Sequence, residues 1–101
     1  MTAYFRIIPE KAQEQYMISR EVVVKSSVGL HARPAMFFIQ KANSYKSSIW
    51  IQDGDKRSSA KSLLGVLAMA ISGDATITLI ADGPDEAEAL DGLEEILRTT
   101  E

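Results

Sequence analysis

The sequence predicts an α+β domain in which helices lie on one face of a mainly antiparallel, four-stranded sheet, an open-faced sandwich. Three observations predict it. A chain of 101 residues that is 46% hydrophobic can form one core and no more. Strand-like and helix-like periodicities alternate in the order β-α-β-β-α-β-α, and only about four segments have strand character. There is no internal repeat and no low-complexity tract.

Residues Met1 to Met17 mix aromatic, charged and polar types around Pro9 without a settled period, apart from a possible short helix over Glu10 to Tyr16. They are read as an extension (1–17) outside a core domain (18–101). Three roles stay open for it: a disordered tail, a helix on the sheet, or a dimer contact.

Arg20 to Lys25 is rich in β-branched residues and precedes the turn-like Ser26-Ser27-Val28-Gly29, so a first strand is expected to end just before His31. Ala35, Phe38, Ile39 and Ala42 fall at i, i+3, i+4 and i+7, the buried face of a helix reaching about Tyr45. Ser47 to Gln52 and Lys56 to Ser59 flank the Gly-containing turn Asp53-Gly54-Asp55, which predicts a hairpin. Ser62 is placed to N-cap a helix over Leu63 to Ile71, with Ser72-Gly73-Asp74 as its stop. Ala75 to Ala81 alternates as a strand. Pro84, Asp85 and Glu86 then open a last helix that turns Leu90, Leu93 and Leu97 inward.

Composition narrows the function. There is no cysteine and one histidine, which excludes disulfides, thiolate metal sites and cysteine nucleophiles and argues against a histidine zinc cage. No metal or cofactor is expected. The net charge of −3 argues against nucleic acid, whose phosphates call for clustered Lys and Arg. No apolar run approaches the roughly 18 residues that span a bilayer, and Met1 to Arg6 lacks the form of a secretory signal. No membrane insertion and a cytoplasmic location are expected.

The one histidine stands in Gly29-Leu30-His31-Ala32-Arg33-Pro34-Ala35, at a strand-to-helix junction. The first turn of a helix has backbone N–H groups without helical partners, and Pro34 is tolerated there because its missing N–H had none to lose. The positive end of the helix dipole biases His31 toward neutral imidazole, a nucleophile for phosphorus. After transfer, the same N–H groups and Arg33 favour the added negative charge. On these grounds alone, a surface histidine with no role fits as well.

This heptapeptide resembles the active-site signature of HPr, the histidine-containing phosphocarrier family of the bacterial sugar phosphotransferase system, and the similarity extends from about Ile18 to the C-terminus. The resemblance implies the open-faced fold read above. It implies that His31 is phosphorylated on its δ nitrogen by enzyme I, ultimately from phosphoenolpyruvate, with Arg33 assisting. It also implies transfer onward to the IIA domains of sugar transporters, the chain being a carrier and not a stand-alone catalyst. Val28 departs from the small polar residue usual at its position, which bears on transfer kinetics or partner choice.

Lys61-Ser62-Leu63-Leu64-Gly65-Val66 is similar to the regulatory serine segment of HPr proteins from Gram-positive bacteria, which implies an HPr kinase/phosphorylase, and a transcriptional regulator, as further partners. A plain N-cap is the bland alternative for Ser62. A shuttle also needs an exposed apolar patch. Met36, Phe37, Leu63, Leu64 and Leu67 are candidates, with Phe37 and Leu67 equally readable as core. The family's docking surface matches Met36, Gln40, Leu63, Leu64, Gly65 and Leu67, serving one partner at a time on a monomer. A regulatory interaction module of the same fold, in carbon catabolite or nitrogen control, is the alternative function; a small-molecule-binding domain is a third.

Overall fold

The computed structural model describes residues 17–25 and 32–99. Their elements are β1 (Ile18–Val23), α1 (Ala32–Asn43), β2 (Ser48–Asp53), β3 (Lys56–Ser59), α2 (Leu63–Ala68), β4 (Thr76–Asp82) and α3 (Glu86–Thr99). This is the order read from the sequence. The strands form one antiparallel sheet, β1-β4-β2-β3, with three helices on one face.

The period of two along each strand decides what is buried. Val22, Ile49, Ile51, Ile77, Leu79 and Ala81 face the helices and join Ala35, Phe38 and Ala42 of α1, Val66 of α2, and Leu90, Leu93 and Leu97 of α3 in one core. The alternate residues form the open face. Register places Ser19, Ile80, Trp50 and Ser59 in one row across the sheet, and Glu21, Thr78, Gln52 and Arg57 in the next. At the tip of the β2–β3 hairpin, Asp53 pairs with Lys56 and Gly54 has φ 63°, the backbone a type II′ loop requires at its first central residue.

Three elements differ by two residues or more from their expected bounds. β1 is Ile18–Val23 instead of Arg20 to Lys25. The Val24 N–H still bonds Ala75 O, but the Lys25 N–H turns to Leu97 O at 3.0 Å, so the chain leaves the sheet for α3 well before residue 31. α1 begins at Ala32, ahead of Ala35, and stops at Asn43, short of Tyr45. α2 ends at Ala68, three residues before Ile71, and Gly73 is not its stop. Met69 and Ile71 are both buried, and residues two apart on a helix lie about 200° from each other. Ala70, with φ 51°, breaks the helix so that both reach the core.

Two polar links fix α3. Arg20 on β1 pairs with Asp91 at 2.7 Å and Glu94 at 2.9 Å. Asp85 accepts hydrogen bonds from the Ser47 hydroxyl, the Lys46 N–H (2.8 Å) and the Ser47 N–H (2.9 Å), while Glu86 accepts from the Gly83 N–H at 3.0 Å, half of a capping box. The Ser47 hydroxyl, with the backbone donors beside it, holds the Asp85 carboxyl below its ordinary value of 3.8. A carboxyl depressed in the folded state stabilises the fold above its unfolded pKa, and that contribution disappears as the pH falls through the folded value. Thermal midpoints measured from pH 7 downward should therefore drop below about pH 4, and less steeply in Asp85→Asn. An unchanged acid limb in that variant would show that the link contributes nothing. Among the described residues, no helix is long and apolar enough to cross a membrane.

Candidate functional site

Two helix N-termini frame the site. His31, like Val28, lies outside the described residues, but the chain fixes residue 31 immediately ahead of Ala32, the first residue of α1. Pro34 is fully buried in that first turn and Arg33 beside it is exposed. Since Pro34 has no N–H, the free donors among the described residues of the turn are the amides of Ala32 and Arg33.

The first turns of α1 and α2 contain no acidic residue, whereas that of α3 holds Glu86 and Glu88. The dipole of α3 is therefore met by its own carboxylates, while those of α1 and α2 meet none in their first turns. Arg33, Met36, Phe37 and Gln40 fall at i, i+3, i+4 and i+7, opposite the Phe38 stripe, and all four are exposed. Met36 is 50% and Phe37 54% exposed.

Ser62 caps α2. Its backbone is extended (φ −108°, ψ 112°) and its hydroxyl accepts from the Gly65 N–H at 3.1 Å. The side chain is exposed, so a single oxygen serves as cap and stays open to solvent. Leu63 and Leu64 follow at 37% and 81% exposure, while Leu67 and Gly65 are half-buried. A Cβ built on Gly65 would run into the Ser58 side chain of β3, so the absence of a side chain there is what lets α2 lie down on the hairpin.

The two helices are joined at one end. Asn43 Nδ2, at the last residue of α1, donates to Ile39 O at 2.9 Å and Lys61 O at 3.4 Å. Lys61 Nζ in turn donates to Tyr45 O at 2.9 Å. Ser62 thus sits by the C-terminal end of α1, and about 18 Å of helix, at 1.5 Å per residue, lies between it and Ala32. Exposed side chains of α1 and α2 occupy the interval. From the sequence alone Phe37 is readable as core or surface, and neither the role of Ser58 nor the Asn43–Lys61 link is marked. The i+4 spacing of Phe37 from Arg33 was the available signal for the first; nothing local marked the others.

The cap makes a direct prediction. Ser62→Ala should lose about 1 kcal/mol, lowering the thermal midpoint by about 4–8 °C in a domain of this size. Ser62→Asp, which can cap equally well, should keep most of it. Equal losses in both would exclude capping as the cause.

Comparison with known proteins bears on the whole arrangement. Residues 18–99 match the family described as the PTS HPr component phosphorylation site. The chain belongs to the HPr family. The HPr-like protein Crh of Halalkalibacterium halodurans is 46% identical over 77 residues, which span 76% of this chain and 92% of that protein. The crystal structure of the phosphocarrier HPr from Bacillus anthracis superposes with a TM-score of 0.78 at 37% identity, covering 80% of this chain and 96% of that one. That of Crh from Bacillus subtilis, reported as a swapped, intertwined dimer, gives 0.66 at 39%, covering 78% and 91%. HPr-family membership places the partners of this chain among proteins of the phosphotransferase system in general.

Proposed function

We propose that this chain is a phosphocarrier in which His31 receives a phosphoryl group from enzyme I, derived from phosphoenolpyruvate, and passes it to IIA domains of sugar transporters. The observation that carries this reading is the Gly29-Leu30-His31-Ala32-Arg33-Pro34-Ala35 signature in a family member, with residue 31 directly before a helix whose first turn lacks acidic residues. The imidazole δ nitrogen attacks phosphorus as the bond to the donor breaks. The phosphoryl oxygens then face the free amides of the first turn, with the Arg33 guanidinium as counter-charge. Transfer onward is the same displacement, with the acceptor as nucleophile.

In this reading the docking surface is Met36, Phe37 and Gln40 of α1 with Leu63, Leu64, Gly65 and Leu67 of α2, used by one partner at a time. Ser62 is a regulatory phosphorylation site for an HPr kinase/phosphorylase. A phosphate there adds about −1.5 to −2 to a net charge of −3 at pH 7, at a helix end that tolerates it. The fold is retained and the potential of the patch changes. A cytoplasmic monomer suits this role, and mass in solution across a concentration series tests the oligomeric part against the dimer described for Crh.

The test is incubation with enzyme I and phosphoenolpyruvate. An acid-labile label should form on the protein and be absent from His31→Ala; no label on the unaltered chain overturns the reading. The similarity to Crh favours a second one, a regulatory module acting through protein binding and Ser62. A chain that fails to take the label from enzyme I but takes phosphate at Ser62 from a kinase would establish it.

A further inference from the structure

The sheet's open face carries an apolar group that the described residues cover only in part. Trp50 and Ile80 are direct cross-strand neighbours on β2 and β4, and both are only half-buried. Met17, 55% exposed, lies two residues before Ser19, the partner of Ile80, and so at the corner of the same face. The Arg57 guanidinium lies over the Trp50 ring, 5.4 Å from its centroid, and the residue still remains only half-buried.

Sixteen further residues precede Met17, and they are not charged filler. Tyr4, Phe5, Ile7 and Ile8 form an apolar run, and the charges of Arg6, Glu10, Lys11 and Glu14 cancel. The family match begins at residue 18, so this segment lies outside it. Strands stand about 4.8 Å apart, so Trp50, two strands from β1, is about 10 Å across the sheet. Pro9 to Tyr16 spans that distance even when wound as a helix of about 12 Å.

We propose that residues 1–16 fold back over the open face and seat Tyr4, Phe5, Ile7 and Ile8 against Ile80 and Trp50. The tether at Met17 holds the run at an effective concentration on the order of mM, so a contact too weak to join two separate molecules suffices. The opposite side of the sheet, with α1 and α2, is left uncovered by the segment, so docking on Met36 and Leu64 and packing of the N-terminus do not compete.

Trp50 is the sole tryptophan of the chain, which makes its fluorescence a reporter of this face alone. The comparison is between the 101-residue chain and its Phe5→Ser/Ile8→Ser variant, whose changes lie outside the family match. The variant should show acrylamide quenching of Trp50 raised by about twofold or more, as expected for a side chain released to solvent, and emission at longer wavelength. Both effects should be independent of protein concentration, with the circular dichroism of the sheet unchanged. Equal quenching in the two proteins would overturn the proposal. So would protection of Trp50 that grows with concentration, which would assign the cover to a second copy, or protection that appears only on adding enzyme I or a IIA domain.

Discussion

A Phe37→Glu/Leu64→Glu variant should lose phosphoryl exchange with enzyme I and IIA domains while melting close to the parent. Both side chains already stand in water, at 54% and 81% exposure, and surface substitutions of this kind usually change stability by about 0.5 kcal/mol or less. Glutamate is a good helix former, and at position 64, in the first turn of α2, it also meets a favourable dipole. At an interface the balance reverses. Truncating a central apolar anchor costs about 2 kcal/mol or more, roughly a factor of 30 in affinity for each residue, and a buried unpaired carboxylate adds to the loss. Titration calorimetry with a purified partner, beside a melting curve, reads both quantities. Unchanged affinity would remove these helices from the docking surface.

The neighbouring side chain should behave in the opposite way. Phe38 is fully buried among strand and helix residues, and Phe38→Ala should cost about 3–5 kcal/mol through lost transfer energy and the cavity left behind. That is a large share of the 5–15 kcal/mol typical of a domain. The thermal midpoint should fall by on the order of 15 °C or more, while partner affinity measured well below it stays near that of the parent. A small shift would mean that the core closes over the gap.

That adjacent phenylalanines have opposite roles was partly legible. The spacing of Ala35, Phe38, Ile39 and Ala42 points one face of α1 inward, and alternation across Thr76 to Ala81 does the same for β4, because both periods are local properties of the backbone. Ser62 as a cap and Gly54 in the turn are local chemistry too. The ends of β1 and α2 were not legible, since each is decided by a distant partner: the Leu97 carbonyl draws Lys25 off the sheet, and the core takes both Met69 and Ile71. The same holds at the site. Gly65 could be read as part of a pattern, but the reason for it is Ser58, on another element. The Asn43–Lys61 link joins residues 18 apart in sequence, and no period foretells it.

That link also sets a footprint. A partner of ordinary size covers about 800 Å² of this surface, a disc roughly 32 Å across, and the stretch from Ala32 to Ser62 fits inside it. Any protein centred on Met36, Phe37 and Leu64 would therefore touch both ends of α1 at once. In the proposed function, a phosphate at Ser62 would need no relay through the domain to affect a partner at residue 31, because that partner would span the two positions itself.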